Sequence, residues 1–360
     1  MNIGYLIKFK WHPPNGGASG HAYQVANNLI KRGHQLHTIY YHHPIPDVRV
    51  YRQRELFQFL RAIDVLYIRV DGDIGYEIYT LLKLLKFAKL PVVWEINSPL
   101  EELLLRGKTE QYVRGLHKKR VFLAKFADAA ICVSQANQEY AKERLNIKKT
   151  YVVPNGSDPV LFSPEKHNDM LYPGLLNKFK VIWAGSAQYN WHGLNSLNEI
   201  AAKVYAQDKD IVFILIGNQR ELANRIQAVP NIQIYDKKGY LEIPSYFASA
   251  DAGLCLYEQD LIGGKFYFSS LKLFDYMASA LPIIATRAGQ IAEVIQDNQD
   301  GILVTSGSDE IAEKILFLKR NTAKARQMGI MARKKIEEFY NWERVGKETE
   351  KILKSLTIKN

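Results

Sequence analysis

The sequence contains few of the features that mark secreted, membrane-spanning or metal-binding proteins. It has only two cysteines, Cys132 and Cys255, and neither lies in a spacing typical of a disulfide framework, a zinc site or a redox motif. We therefore expect both to be small core residues in a reducing compartment. No apolar run approaches the length of a membrane span, and the first residues contain no small-residue cleavage site, which argues against an integral membrane protein and against export.

Acidic residues are scarce in the first part of the chain. Residues 1–170 contain 24 Lys and Arg against 16 Asp and Glu, and the remainder contains 24 against 21. Such an excess of cations serves solubility or meets an acidic partner. Zinc-finger, helix-turn-helix and RNA-binding signatures are missing, so we expect no nucleic-acid partner, and an anionic membrane surface fits the excess at least as well.

What the sequence does contain is a repeated alternation of strand-like and helical segments. A strand at 2–7, a glycine-bearing loop, a helix at 21–31 and a strand at 35–41 open the first series. A stretch rich in Pro, Asn and Gly at 154–178, which we interpret as an inter-domain linker, separates it from a second series that starts at Lys180. The repetition predicts an α/β protein of two doubly wound parallel-sheet domains, with ligands in the cleft between them.

The most informative stretch is residues 266–282, where Ser270 precedes a helical segment. A serine hydroxyl at the N-cap can accept a hydrogen bond from a free amide of the first turn. Those amides and the helix dipole attract an anion, and Lys272 is unfavourable there unless something negative compensates it. With Asp275 three residues later, the pattern fits a ligand with phosphates and hydroxyls. A surface helix with a Lys–Asp pair is the alternative, and the local sequence leaves both open.

Five groups of residues occur in an order and spacing that chance rarely produces. They are Asn15–Gly20 with Gln24–His34, Pro91–Pro99, Ala127–Ser134 with Val153–Asp158 and Phe162–Pro164, Trp191–Gly193, and Phe266–Ala278 followed by Leu281–Pro282 and Gly289–Gly301. Together they resemble the retaining glycosyltransferases of the GT-B fold, family 4 type (glycosyl transferases group 1). The resemblance implies an acceptor-side Rossmann-like domain at 1–165, a donor-binding domain at 166–335 and a C-terminal helix at 336–360 that packs back toward the first domain.

The resemblance implies transfer of a sugar from a nucleotide-diphosphate donor to the hydroxyl of a saccharide or lipid-linked acceptor, with retention of configuration. It implies neither a metal nor another cofactor. We expect a role in cell-surface polysaccharide or glycolipid synthesis, in the cytoplasm, with peripheral attachment to the inner face of the plasma membrane as a further hypothesis.

The resemblance and the positions of single residues in the chain together predict their roles. The catalytic residues are Lys272, Asp275 and Glu95. The donor-binding residues are Gly16, Gly17, Ser270, Leu271, Lys272, Asp275, Gly185, His192, Gly217, Arg220 and Lys265, and the acceptor-binding residues are His12, Glu95 and Asn97. In this assignment the first-turn amides and Lys272 hold the diphosphate, and Asp275 takes the ribose hydroxyls. Structural roles for Glu95, Asn97 and His192 in loops, turns or helix caps stay open.

The chain departs from the family pattern in two places. The family commonly has two glutamates eight positions apart around this helix, and here those positions hold Tyr267 and the shorter Asp275. The loop Gly185–Gly193 also lacks the usual Arg or Lys. We expect the charge to come from Lys265, Lys272 or Arg220 instead.

Three other functions are alternatives to sugar transfer on this fold. The pattern around Asp275 disfavours a nucleotide-sugar epimerase on the same fold. A nicotinamide-dependent oxidoreductase is disfavoured because the glycine loop is not a Gly-x-Gly-x-x-Gly turn and the second strand ends without a ribose-binding acid. The missing acid at Tyr267 and the neutral 185–190 loop keep a catalytically silent scaffold open.

The run Arg114–Phe126 mixes cations with apolar residues. Such a composition suits an amphipathic surface on anionic lipid. It also suits a helix that packs its apolar side on the sheet and leaves its lysines in solvent. We favour the packed helix and keep membrane contact as a hypothesis.

Overall fold

The computed structural model describes residues 1–9, 12, 14, 16–39, 47–70, 77–227, 229–258, 265–305 and 307–357. Asn15 of the first motif, and the end of the strand predicted at 35–41, lie outside these residues. The chain divides into two compact units. Unit 1 comprises Met1–Asn155, Tyr267–Ser269 and Trp342–Asn360, and unit 2 comprises Gly156–Phe266 and Ser270–Asn341.

The strands and helices alternate along most of the chain. The strands are β1 (Asn2–Leu6), β2 (Gln35–Ile39), β3 (Val48–Tyr51), β4 (Val65–Arg69), β5 (Val92–Ile96), β6 (Ala129–Cys132), β7 (Thr150–Val152), β8 (Phe179–Ala184), β9 (Ile211–Gly217), β10 (Ile232–Asp236), β11 (Ala252–Cys255), β12 (Ile283–Thr286) and β13 (Ile302–Val304). The helices are α1 (Gly17–Lys31), α2 (Leu56–Ala62), α3 (Glu77–Phe87), α4 (Glu102–Leu105), α5 (Glu110–Ala124), α6 (Gln135–Glu143), α7 (Leu197–Gln207), α8 (Gln219–Ala223), α9 (Ile243–Ala248), α10 (Leu271–Ala278), α11 (Gly289–Val294), α12 (Ser308–Arg320), α13 (Thr322–Phe339) and α14 (Trp342–Thr357).

Unit 1 is built on a seven-stranded sheet in the order β3-β2-β1-β4-β5-β6-β7, and all its strand pairs are parallel. Its central strands β4 and β5 are buried along their whole length, as expected for a parallel sheet covered by helices on both faces. The register places Arg69 of β4 beside Glu95 of β5. This pairing brings two charged side chains together at the carboxyl ends of neighbouring strands.

Helix α14 returns the end of the chain to unit 1. Its Trp342 and Val345 side chains are buried. The helix packs on α1, where Arg32 forms an ion pair with Glu350. A Cβ atom at Gly346 would lie 2.8 Å from the Asn28 side chain, so the glycine permits the close approach of the two helices.

Unit 2 contains a six-stranded parallel sheet in the order β10-β9-β8-β11-β12-β13. This is the 3-2-1-4-5-6 order of a dinucleotide-binding half, with its switch point between β8 and β11. The two sheets together confirm the predicted α/β class of two Rossmann-like domains. The stretch at 156–178, within the predicted linker, belongs to unit 2, and its Phe162 and Tyr172 are buried.

Three details differ from the sequence predictions. Helix α1 begins at Gly17 instead of at His21, so part of the predicted glycine loop is the first helical turn. Strand β3 and helix α2 were not predicted. Within the described parts of the chain, no helix is long and apolar enough to cross a bilayer.

Helices α10 and α13 approach each other so closely that one contact excludes any side chain. A Cβ atom at Gly329 of α13 would lie 1.9 Å from the carbonyl oxygen of Ala280, just beyond the end of α10. We predict that Gly329→Ala destabilises the protein by about 1–3 kcal/mol or more, because α13 must move away from α10. Denaturant unfolding measures the change.

Gly115 of α5 is the matched control, because a Cβ atom there meets nothing within 4 Å. Gly115→Ala should leave stability unchanged or raise it by up to about 1 kcal/mol, as helix propensity alone requires. Equal effects of the two substitutions would contradict the close packing of α13 on α10.

Candidate active site

The ammonium group of Lys272 is buried without a hydrogen-bond partner. It lies in the first turn of α10, and among the described residues no donor, acceptor or carboxylate pairs with its Nζ atom. The surface Lys–Asp pair considered from the sequence is therefore absent. The nitrogen instead lies 5.0 Å from the ring centre of Trp183 and 4.9 Å from that of Tyr257. Both rings attract the cation through their faces.

The two aromatic residues come from adjacent strands of the sheet. Trp183 belongs to β8 and Tyr257 follows β11, so the switch point of the sheet supplies both. Burial lowers the pKa of Lys272 from 10.5 to about 8, and the nearby Cys255 thiol opposes that shift. An unpaired ammonium costs free energy in this setting, and a bound anion would remove the cost.

His192 is held next to this group in an orientation fixed by its neighbours. Its Nδ1 lies 2.9 Å from the carbonyl oxygen of Ser186, which can only accept, so Nδ1 carries the hydrogen and Nε2 is the free acceptor. Burial, with a smaller contribution from the charge of Lys272, lowers the pKa of His192 to about 3. The imidazole is therefore neutral, and its ring meets that of Tyr257 edge to face.

Arg225 holds the loop that carries His192 through hydrogen bonds. The sequence did not indicate this role for Arg225. Its guanidinium donates to the carbonyl oxygens of Ala187 (2.7 Å) and Tyr189 (3.3 Å) and to the side chain of Asn195. Arg220 and Lys265, which were expected to supply charge, are exposed. Arg225 therefore positions the loop, while Lys272 is the buried cation of the site.

Two of the predicted glycines pack against each other at the strand ends. A Cβ atom at Gly217 would lie 2.7 Å from the carbonyl oxygen of Gly185, and one at Gly185 would lie 3.1 Å from the ring of Trp183. The glycines thus allow the loops after β8 and β9 to approach. This is a structural reason for both residues, independent of any ligand.

The start of α10 differs in one respect from the expectation. Ser270 is the N-cap, but its hydroxyl does not accept from a first-turn amide; it instead lies 2.9 Å from the Tyr257 hydroxyl. Among the described residues, no acceptor is seen for the backbone amides of Leu271 and Lys272. These donors are the ones that an anion at the helix start would use.

Asp275, one turn further along α10, is held by a residue from another segment. The Ser157 hydroxyl donates to its Oδ1 at 2.6 Å. Burial raises the pKa of Asp275 to about 7, the Ser157 hydrogen bond opposes this rise, and the charge of Asp158 adds to it. A carboxyl group with this pKa can accept hydrogen bonds from ligand hydroxyls when ionised and donate one when protonated.

In unit 1, Glu95 is the centre of a buried charge network. It is 1% exposed, and its Oε1 lies 2.9 Å from His21 Nε2 and 3.4 Å from Arg69 Nη1. Asn97 donates to the same oxygen at 2.7 Å. Burial would raise the pKa of Glu95, but His21, Arg69 and Asn97 together lower it to about 2. The carboxylate is thus permanently ionised and fully compensated by its own unit.

The remaining predicted residues of unit 1 lie near the start of α1. Gly16 and Gly17 are exposed, and a Cβ atom at Gly16 would meet nothing within 4 Å, so packing within the protein does not require that glycine. His12 stacks on Tyr23. His21 is buried in α1, and its Nδ1 lies 2.5 Å from the side-chain oxygen of Asn155.

Tyr267, which stands where the family has an acid, packs against the core of unit 1. Its carbonyl oxygen accepts hydrogen bonds from Ser134 (2.9 Å) and Asn137 (2.8 Å), and Asn155 donates to the carbonyl oxygen of Ser269. The three residues 267–269 are therefore anchored on unit 1.

In the described residues, no group of three or more His, Cys, Asp or Glu could hold a metal ion. Metal-independence stays a prediction.

The fold and these residues define a glycosyltransferase of the GT-B type. The model of Glycosyltransferase Family 4 matches residues 15–161, and the model of Glycosyl transferases group 1 matches residues 178–321. The chain belongs to this family, which confirms the resemblance seen in the motifs. Retention of configuration is not tested by these matches.

Known relatives are similar to the chain over different lengths. N-acetyl-alpha-D-glucosaminyl L-malate synthase of Bacillus anthracis is 30% identical over 148 residues, which cover 40% of this chain and 37% of that protein. Sucrose-phosphate synthase of Thermosynechococcus elongatus has a TM-score of 0.77 at 16% identity, with full coverage of both chains. Anabaena HepE in complex with UDP-glucose has a TM-score of 0.72 at 19% identity and covers 99% of this chain and all of that one. The two structures are similar in fold.

The raised pKa of Asp275 predicts how stability depends on pH. Its folded pKa of about 7 exceeds the ordinary aspartate pKa of 3.8, so its contribution to stability is fully present below the unfolded pKa and is lost as pH rises through about 7. Asp275→Asn cannot ionise. We predict that the variant melts about 2–4 °C or more above the wild type at pH 8 and that the gain vanishes near pH 4.

Ser157→Ala is the companion variant, because it removes the hydrogen bond that stabilises the ionised form. It should lower the melting temperature more at pH 8 than at pH 4. A difference between Asp275→Asn and wild type that is constant across this range would show that the carboxyl group does not titrate as described.

Proposed function

We propose that the enzyme transfers a sugar from a nucleotide-diphosphate donor to the hydroxyl of a saccharide or lipid-linked acceptor, with retention of configuration. The reaction takes place in the cytoplasm and serves the synthesis of a cell-surface polysaccharide or glycolipid. One observation carries the proposal: within the described part of the chain, the buried ammonium of Lys272 has no partner, and the first amides of its helix have no acceptor.

A diphosphate has the charge and the acceptor oxygens to pair with this group of donors. The amides of Leu271 and Lys272 point along the helix axis toward an anion, and the ammonium adds a full charge. In sugar transfer, negative charge develops on the departing diphosphate, so the same donors stabilise the transition state. HepE, which is similar in fold, is described in complex with UDP-glucose, and this supports a nucleoside diphosphate sugar as donor.

The neighbouring residues have complementary roles in this proposal. Asp275 accepts the ribose hydroxyls through the carboxylate oxygen that Ser157 leaves free. The neutral His192 offers its Nε2 as an acceptor for a donor hydroxyl. The acceptor hydroxyl attacks from the face that the diphosphate leaves, and the departing phosphate oxygen takes its proton. Gly16 and Gly17 stay predicted donor-binding residues, and His12 and Asn97 stay predicted acceptor-binding residues.

Lys272→Met tests the anion site directly. We predict that the nucleotide-induced rise in melting temperature is lost, with a loss of affinity of about 10- to 100-fold, because a charged hydrogen bond is worth about 1.5–3 kcal/mol. The unliganded variant should melt at or above the wild-type temperature at pH 7, since the folded pKa of about 8 shows that the charge opposes folding below that pH. A thermal-shift panel of nucleoside diphosphates and their sugars measures both effects.

Lys334→Met, at an exposed lysine of α13, is the control and should keep the full nucleotide response. An undiminished response in Lys272→Met would place the nucleotide elsewhere and overturn the assignment. The anomeric proton of the product, followed by NMR, reports whether configuration is retained.

A further inference from the structure

We propose that unit 1 docks on an anionic phospholipid surface through one face of helices α3 and α5. This aromatic-basic face consists of Lys83, Lys86 and Phe87 of α3, and Lys118, Phe122 and Lys125 at and after α5. The proposal does not depend on the nucleotide site, because these residues all lie on unit 1.

Ring contacts join the two helices into one surface. Tyr79 of α3 lies 5.4 Å from Phe122 and 5.8 Å from Phe126, measured between ring centres. The Lys83 ammonium lies over the Tyr79 ring and that of Lys125 over the Phe122 ring, at 5.4 and 5.8 Å. Cations and aromatic rings therefore alternate across the boundary between α3 and α5.

Two phenylalanines on this face are exposed to a degree that the fold does not require. The Phe87 side chain is 90% exposed at the end of α3, between Lys86 and Ala88, and Phe122 is 41% exposed. An exposed phenylalanine flanked by lysines is the arrangement in which an amphipathic surface inserts rings at the lipid boundary and keeps its ammonium groups at the headgroups.

Most of the positive charge of the face is not paired with a carboxylate. Among the described residues, Lys83, Lys118 and Lys125 have no carboxylate within 4 Å, and Lys86 approaches Asp128 only at 3.8 Å. Each lysine near an anionic bilayer contributes about 1 kcal/mol of binding free energy. Charge complementarity thus selects an anionic surface as the partner.

A membrane fits better than a nucleic acid. Nucleic-acid surfaces use open ring faces for base stacking, whereas here ammonium groups cover the rings of Tyr79 and Phe122. The packed-helix interpretation favoured from the sequence accounts for the inner side of α5, where Val113 and Leu123 are buried. Packing and docking therefore use different sides of the same helix.

The test is co-sedimentation of the full chain with phosphatidylcholine vesicles that contain or lack phosphatidylglycerol. We expect binding only to the anionic vesicles, weakening as salt increases. The variant Lys83→Glu/Lys118→Glu/Lys125→Glu should bind about a hundredfold more weakly. The control Lys142→Glu/Lys148→Glu/Lys149→Glu changes net charge equally at exposed lysines of the same unit and should weaken binding far less. Equal losses, or no binding by wild type, would overturn the proposal.

A probe at Phe87 separates insertion from charge alone. Both native cysteines are buried, so Phe87→Cys can be labelled selectively with an environment-sensitive fluorophore. Its emission should rise and shift to shorter wavelength with anionic vesicles. Unchanged emission of the label when the protein is bound to vesicles would contradict insertion into lipid. The lipid surface would also be contradicted if the wild type bound single-stranded DNA but not vesicles, and the Lys83/Lys118/Lys125 variant lost the DNA binding.

Discussion

The candidate site of unit 2 depends on the ammonium group of Lys272, which is buried without a hydrogen-bond partner among the described residues. Lys272 places its ammonium between the faces of Trp183 and Tyr257, and these attractions offset only part of the cost of removing it from water. The parallel sheet creates the position, because β8 and β11 meet at the switch point where α10 begins. The site therefore gains more free energy from binding an anion than an already paired lysine would.

In unit 1, by contrast, the buried charge of Glu95 is paired with other side chains. Glu95 also lies at the carboxyl end of a central strand, but His21, Arg69 and Asn97 surround it and keep its pKa at about 2. A carboxylate of such low basicity is poorly suited to take a proton at neutral pH. The catalytic role expected for Glu95 stays a prediction, and the geometry favours a positioning role that holds His21 in α1.

The fold was largely predictable because parallel strands buried on both faces appear as short apolar runs, and helices such as α1 and α10 have clear spacing. Strand β3 lacks that signal: it is a four-residue edge strand with only Tyr51 buried. Lys272 and Asp275 were identified from a local motif, whereas Trp183, Tyr257, Ser157 and Arg225 come from distant segments that only the folded sheet brings together. No local pattern indicates that the Ser270 hydroxyl bonds Tyr257 instead of a first-turn amide.

The most direct measurement of the central claim is the titration of the Lys272 side chain by heteronuclear NMR, with the resonance assigned by the Lys272→Met variant. Without ligand, the account predicts a pKa of about 8. With a saturating nucleoside diphosphate, the pKa should rise above that value, because an adjacent anion stabilises the charged form. An unperturbed lysine pKa without ligand, or one that the nucleotide leaves unchanged, would contradict the account.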